Sequence, residues 1–441
     1  MKDLIRAGVR PSVKGRVAVE LFDGRGRRVS RAEQPNMVSQ VWLDVMEAFL
    51  GFGLFESRNL AEALPVNRLA DQFRAIPNYG IMLTDYAAAA TQADRAVKGA
   101  HLGWASTAYA TTASGSRGSY NSGESVSRPF YQKLVFDFAT NQANGVFQSV
   151  YSGPWKATSD TAAPELLYYT DRSCRTAAAG TLSDYMATVR GDPATGTLVQ
   201  PGSGPDPTTL RTNTLEGALR GAGWGSVAMG RVVRGVDIRA SRLYLLGAIS
   251  GSSGSYQQSV YSAPLSDLAT QTVEKTFDNA LLASLGVASA GSSGGFAGLA
   301  WSPARGRWLI GAAGSTAAAR VWEFDESWNL VGSVLPAGEA VWWLAAFPTD
   351  PDAVVAGNWV WDLGSKSRMA LSTNSDTVAY RCLSPVGAQL GIGGHRSDTT
   401  AFWTPQSMFF SRAVLDNPVT KTSTNTMKIS YEFTTQEPSL W

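Results

Sequence analysis

The chain has 441 residues, of which 44% are hydrophobic and 17% charged, and its net charge is +2. That balance excludes a disordered chain, and the length exceeds what one hydrophobic core usually serves, so two or three domains are expected. The near-neutral charge gives no global electrostatic reason to expect a nucleic-acid binder, and none is expected.

Cys174 and Cys382 are the only cysteines. Two are too few for a disulfide framework or a cysteine metal site, although a single bridge between them stays open. The first thirteen residues, MKDLIRAGVRPSV, lack the apolar core of a signal peptide. No stretch reaches the run of about 18 apolar residues that a membrane helix needs. The expectation is a soluble product of the cytoplasm, made without export and without membrane insertion.

Residues 1–31 carry nine basic side chains (Lys2, Arg6, Arg10, Lys14, Arg16, Arg25, Arg27, Arg28, Arg31) against Asp3, Glu20 and Asp23. This end either docks on an acidic partner or is a solvated strand face and turn, and the second is the commoner fate of such charges. Within it, Val17, Val19 and Leu21 alternate with Ala18, Glu20 and Phe22 before Asp23-Gly24. Alternation followed by Asp-Gly predicts a hairpin over residues 15–29.

Beyond Pro35-Asn36 the spacing of Met37, Val41, Val45, Met46, Phe49 and Leu50 is helical. A helix over residues 38–50 is therefore expected, capped by Asn36 and ended near Gly51 or Gly53. Residues 57–100 read as short helix and loop, with 87–90 the best helical candidate. Residues 111–128 are rich in Ser and Gly without periodicity, which predicts an exposed loop or linker.

From there the pattern is β, and it repeats. LYLLGA (243–248), WLIGAA (308–313), AVVAGN (353–358) and QLGIGG (389–394) each read as a buried apolar strand ending in small residues. Each precedes a second strand, SVYSAP (259–264), RVWEFD (320–325), WVWDLG (359–364) or TAFWTP (400–405), the last three starting 39 and 41 residues apart. A period near 40 with about four short strands per unit matches a β-propeller blade. A propeller-like domain over residues 126–415 is expected, with a sandwich or an irregular solenoid as alternatives. In a propeller the small residues would line the central channel, and Gly357 and Gly393 should sit there.

No catalytic constellation emerges. His101 and His395 are the only histidines, so there is no HExxH or histidine metal cluster, and there is neither a P-loop nor a dinucleotide fingerprint. Gly291-Ser292-Ser293-Gly294-Gly295 matches G-x-S-x-G in form but lies in a Ser/Gly tract without the strand and helix a nucleophile elbow requires. His395 reads as a loop histidine. Asp350, Asp352 and Asp362 cluster in sequence, yet Asp350-Pro351-Asp352 has the composition of a turn, and the repeated Asp motif of sialidase propellers is not visible. Trp342-Trp343 and Trp359-Val360-Trp361 are candidates for stacking on sugars, but packing between blades is the commoner use of such rings. The reading is a non-enzymatic protein with no catalytic, cofactor-binding or metal site.

Residues 134–151 (LVFDFATNQANGVFQSVY) resemble a stretch common among tail and fibre proteins of tailed bacteriophages, in which an aromatic-Asp-Phe strand leads into a Thr-x-x-Ala-Asn-Gly turn and a second strand. Residues 418–435 (PVTKTSTNTMKISYEFTT) are similar to the closing segment of such proteins, and the hairpin with Asn36-Met37-Val38 resembles their opening. The resemblance implies a virion structural protein of the tail-fibre or tail-tip type, located in the virion and contributing to host attachment. Its implied partners are other tail proteins, further copies of itself, and a host-surface glycan or protein. A polysaccharide hydrolase on the same scaffold, an architectural connector and a head decoration are the alternatives.

At the C-terminus Ile429, Tyr431 and Phe433 alternate with Lys428, Ser430, Glu432 and Thr434, which predicts a strand over 427–435. An isolated hairpin is marginal in water, so pairing of this strand with the N-terminal hairpin is expected. The expected organisation is an anchor domain of residues 1–56 plus 416–441 carrying the helix, a helix-and-loop connector over 57–125, and the propeller-like domain over 126–415.

Overall fold

The computed structural model describes residues 13–39, 80–107, 115–171 and 235–435, with short undescribed stretches inside the last two ranges. The fold is mainly β. Among the described residues one short helix occurs, and no helix is long and apolar enough to cross a membrane.

Two compact units are present. The first contains β1 (Val13–Phe22), β2 (Arg28–Val38), β3 (Gly80–Thr84), β4 (His101–Ser106), β5 (Ser119–Tyr120), β6 (Val126–Arg128), β7 (Tyr131–Phe138), β8 (Gly145–Gly153) and the short hairpin β9 (Trp155–Lys156) and β10 (Glu165–Leu166). The second unit is inserted in the chain at this point. It contains β11 (Tyr169–Asp171), then β12 (Gly235–Arg239), β13 (Arg242–Leu246), β14 (Gln258–Pro264), β15 (Thr272–Phe277), helix α1 (Asn279–Ser284), β16 (Phe296–Ser302), β17 (Arg307–Ala312), β18 (Ala319–Phe324) and β19 (Leu330–Pro336). It continues through β20 (Leu344–Ala346), β21 (Ala353–Ala356), β22 (Trp359–Asp362), β23 (Arg368–Leu371), β24 (Ala379–Val386), β25 (Gln389–His395) and β26 (Ala401–Pro405). The chain then returns to the first unit with β27 (Ser411–Lys421) and β28 (Thr426–Thr435).

The first unit is one antiparallel sheet with the path β4-β3-β8-β27-β2-β1-β28-β7-β5, and β6 pairs with β7 off this path. β1 pairs along its whole length with β28, from Val13 opposite Thr435 to Phe22 opposite Thr426. The reason is burial: Val17, Val19 and Leu21 of β1 and Met427, Ile429 and Tyr431 of β28 enter one core with Leu134, Phe136 and Phe138 of β7. Burial of each such side chain contributes on the order of 1.5–3 kcal/mol.

The two ends of that path nearly meet. The Trp104 amide of β4 donates to the Ser116 carbonyl at 2.9 Å, and the Trp104 carbonyl accepts from Gly118 at 2.8 Å, immediately before β5. The result is a nearly closed, barrel-like sheet. Glycine makes the approach sterically feasible, because a Cβ on Gly103 would lie 2.4 Å from that of Ala143, and one on Gly118 would lie 2.7 Å from the Asp137 carbonyl oxygen.

Several expectations change here. β7 and β8 belong to the barrel, not to the repeat domain, because β28 and β27 need partners on their second edges. Residues 80–84 and 101–106, expected in a connector, are barrel strands β3 and β4. Residues 87–90 are irregular and not helical: the Ala88 carbonyl accepts a side-chain hydrogen bond from Arg412 and is thereby withheld from a helix. Asn36 and Met37 lie inside β2 and do not cap a helix, since Met37 and Val38 pair with Arg412 and Ser411. The expected helix beyond Ser39 lies outside the described residues.

In the second unit, β12 to β15, β16 to β19 and β20 to β23 each follow one another as an antiparallel meander. A fourth sheet has the order β11-β26-β25-β24, so the strand that precedes the first meander completes the last. First strands neighbour first strands, β12 beside β16, β16 beside β20, and β20 beside β24. The repeats found in the sequence are the second and third strands of these sheets: β13 with β14, β17 with β18, β21 with β22, and β25 with β26.

Gly357 therefore occupies the turn between β21 and β22, where its φ of +60° is the reason for glycine. Gly393 lies in β25 between Cys382 and Ala401. Crowding between first strands falls elsewhere: a Cβ on Gly235 of β12 would stand 2.6 Å from the Leu299 amide of β16, beside Gly298 with its φ of +70°.

Candidate functional site

The turn between β7 and β8 is built by its own side chains. Gln142 is buried, its Oε1 accepts the Ala139 amide at 2.7 Å, and its amide donates back to the Ala139 carbonyl at 3.1 Å. Ala143 takes a φ of +48° so that its amide reaches the Gly115 carbonyl at 3.0 Å. Asn144 Nδ2 donates to the Thr140 carbonyl at 2.9 Å, and Gly145 follows with φ +144°, where a Cβ would run into Leu102 at 2.5 Å.

Lys421, at the end of β27 and directly across from Gly145, completes this turn. Its ammonium donates to Asn144 Oδ1 at 2.9 Å, to the Thr140 carbonyl at 3.3 Å and to the Thr422 carbonyl at 3.5 Å. All three acceptors are neutral, and among the described residues no carboxylate pairs with it. The residue is 1% exposed, and burial lowers the affinity of its amine for a proton. Lys421 and Asn144 are 277 residues apart in sequence, and they meet in one clamp.

The opposite polar centre is Arg412, a fully buried side chain in β27. Its guanidinium donates to Ser149 Oγ at 3.0 and 3.1 Å, to the Ala88 carbonyl at 2.5 Å and to the Tyr86 carbonyl at 3.3 Å. It lies 3.5 Å from the Asp94 carboxylate and over the rings of Tyr86 and Tyr151. Asp94 also holds Lys98 at 3.2 Å. Arg412 thus ties the loop of residues 85–100 to the barrel, together with bonds from Gln92 to the Val38 carbonyl and from the Lys98 amide to the Tyr151 hydroxyl. Nothing in the spacing of the sequence marks Arg412, because its partners, Ser149, Asp94 and the Tyr86 and Ala88 carbonyls, lie more than 250 residues away.

The residues weighed in the sequence are scattered. His101 is half-buried in β4, His395 ends β25, and Ser292 and Ser293 lie outside the described residues. Gly295 leads directly into β16, so a strand follows this tract where a nucleophile elbow has a helix. Asp350 accepts the Asp352 amide at 3.0 Å and Asp362 accepts the amides of Gly364 and Ser365 at 3.2 and 3.1 Å, which are turn-forming roles. Asp267, Asp325 and Asp362 recur in the turns between third and fourth strands of successive sheets, at spacings too irregular to read as a motif.

Trp342 and Trp343 lie outside the described residues. Trp361 is buried, and the Arg368 guanidinium lies 3.7 Å from the ring centre of Trp359 and 5.2 Å from that of Trp361. These rings pack within the domain. Sequence inspection passed over a larger aromatic group, in which Trp308 stacks on Trp328 at 4.7 Å and touches Tyr244 and Trp301, with Arg239 3.7 Å above Trp301.

Four of the nine basic side chains at the N-terminal end have internal carboxylate partners, and Lys2, Arg6 and Arg10 lie outside the described residues. Arg16 pairs with Glu33 and Glu432, Arg28 and Arg31 with Glu20, Arg31 with Glu33, and Arg27 with Asp23. Among the described residues no group of three or more His, Cys, Asp or Glu is placed to hold a metal ion. No family model matches the chain, and no curated protein matches it.

Proposed function

We infer that the chain is a non-enzymatic structural component of a tailed-phage virion, of the tail-fibre or tail-tip type, with the barrel as its attachment module. One observation carries this reading. The three segments that resemble tail proteins, the opening hairpin, residues 134–151 and residues 418–435, are sheet neighbours in a single barrel through the pairs β1 with β28, β28 with β7, and β27 with β8. A likeness scattered over a chain of 441 residues thereby becomes a likeness of one module.

In the same reading the inserted unit is a β-propeller that contributes to contact with the host surface. Successive meanders with neighbouring first strands support this, as does the completion of the last sheet by β11, the arrangement by which a ring of blades closes. The barrel joins further copies or other tail proteins.

The test is to locate the protein in purified virions by electron microscopy of the intact particle and to measure adsorption of the isolated protein to host cells and glycans. A position in the tail with adsorption and no released sugar is expected. Release of reducing ends would replace this reading with a depolymerase. A head position, or absence from the particle, would overturn it.

A further inference from the structure

Asn144-Gly145 is the only Asn-Gly step in the chain. Asn144 is exposed, its Oδ1 receives the Lys421 ammonium at 2.9 Å, and among the described residues that ammonium meets only neutral oxygens. We propose that Asn144 is a site of spontaneous deamidation promoted by Lys421, and that the aspartate formed gives the buried ammonium a carboxylate partner in place of a neutral amide.

The chemistry needs only water and hydroxide. The Gly145 backbone nitrogen, after giving its proton to solvent base, bonds to Cγ of Asn144. The Cγ–Nδ2 bond breaks, and Nδ2 takes a proton and leaves as ammonia. Water then opens the cyclic imide and leaves a carboxylate at residue 144, as aspartate or isoaspartate. Glycine is the residue whose nitrogen attacks with least steric shielding. The negative charge that develops on Oδ1 during the attack forms beside the Lys421 ammonium, the situation in which a placed cation or donor accelerates a reaction most.

In the aspartate product a charge-assisted bond replaces the neutral one between Asn144 and Lys421, and such bonds are the shorter and stronger kind. The bond spans the turn before β8 and the end of β27. Deamidation would therefore tighten the clamp on the barrel after folding. This inference stands on the barrel geometry alone and does not depend on the virion reading.

The experiment is prolonged incubation of the full, folded chain at mildly alkaline pH, followed by peptide mapping that separates aspartate from isoaspartate. Residue 144 is expected to convert ahead of every other asparagine, with the unit mass gain that exchange of NH2 for OH produces. Lys421→Gln, confirmed as folded by its melting curve, should slow the conversion by about tenfold or more, the scale of losing one charge-stabilising donor. Separately, Asn144→Asp should melt above the wild type, and this gain should vanish when Lys421→Gln is added. Should Lys421→Gln not fold, the comparison of Asn144→Asp with wild type decides. Persistence of asparagine at 144 while Asn121 converts would overturn the proposal. So would an Asn144→Asp variant that melts no higher than wild type, or a loss of ammonia with residues 144 and 421 cross-linked.

Discussion

Arg16 and Glu432 lie 416 residues apart in sequence and 2.8 Å apart in space. The pair sits on the outer face where β1 meets β28, and the same guanidinium holds Glu33 of β2 at 2.7 Å. With the Arg16 side chain 54% exposed, the contact adds little to stability. Register along this seam is set by burial, because a one-residue slip of β28 would carry Glu432 to the core face and Tyr431 into water.

Since β28 lies between β1 and β7, removing residues 424–441 deletes a central strand and not an edge. The barrel core loses Met427, Ile429 and Tyr431 together. The expected outcome is a truncated chain whose barrel is digested rapidly in limited proteolysis and which, on the virion reading, no longer enters particles, while a fragment covering residues 168–406 persists. A barrel that resists protease after this deletion would remove β28 from the core of the fold.

Much of this was legible in the sequence where burial is periodic. Val17, Val19 and Leu21, and likewise Ile429 and Tyr431, face the core as their alternation requires. The four apolar repeats are strands because they are short, largely apolar runs that end in small or turn residues. What escaped is non-local. β3 pairs on its second edge with β8, Ile81 opposite Ser152, and no local signal reveals that or that Gly103 must pass within contact of Ala143. The basic end allowed either docking or a solvated face, and the carboxylates that pair with Arg16 and Arg31, Glu33 and Glu432, lie beyond residues 1–31.

Gln258 joins the first two meanders of the second unit. It is 1% exposed, donates to the Gly247 and Phe296 carbonyls at 2.8 and 3.0 Å, and accepts the Phe296 amide at 2.7 Å. Gln258→Leu keeps much of the volume and leaves these backbone groups unpaired, at a cost of about 1–3 kcal/mol for each buried group. Urea unfolding monitored by tryptophan fluorescence should show the midpoint fall. An unaltered midpoint would mean that water replaces the amide.

Gly235→Val tests the approach of first strands. With the Leu299 amide 2.6 Å from where its Cβ would be, the strands must separate, and overpacking of this kind costs roughly 1–3 kcal/mol. Gly332→Val on β19, where a Cβ would meet nothing within 4 Å, is the matched control. Calorimetry should show a lower melting temperature for the first variant only. Equal effects would refute close first-strand packing.

Arg412→Met should be the most damaging single change in the barrel, because it strips a buried guanidinium from Ser149, from the Tyr86 and Ala88 carbonyls and from Asp94. Breaking a buried ion pair on one side costs about 3–5 kcal/mol. The loop of residues 85–100 should lose hydrogen-exchange protection first. If its amides remain as protected as in the wild type, other contacts hold that loop.

Alkaline pH sets two buried groups against each other. Tyr431 is enclosed in the barrel core, where burial raises its phenol well above the ordinary value and outweighs its hydrogen bonds to Ser411 and Asn36. Below pH of about 10 both folded and unfolded chains keep this proton, so stability does not change with pH on its account. Above that value the unfolded chain releases the proton while the folded chain retains it, and stability falls as pH rises. Lys421 acts in the opposite sense. Burial lowers its proton affinity, so the folded chain releases the ammonium proton before the unfolded chain does, and stability rises as pH climbs toward the lysine value of about 10.4. Wild-type stability, followed by urea midpoints from neutral to strongly alkaline pH, should therefore combine a rise below about pH 10.4 with a fall above about pH 10. Tyr431→Phe should cost about 1 kcal/mol at neutral pH through the lost Ser411 bond, and should flatten the alkaline fall. Lys421→Met should remove the rise and leave the fall. A Tyr431→Phe variant whose midpoint declines above pH 10 as steeply as the wild type would assign the alkaline transition to other tyrosines.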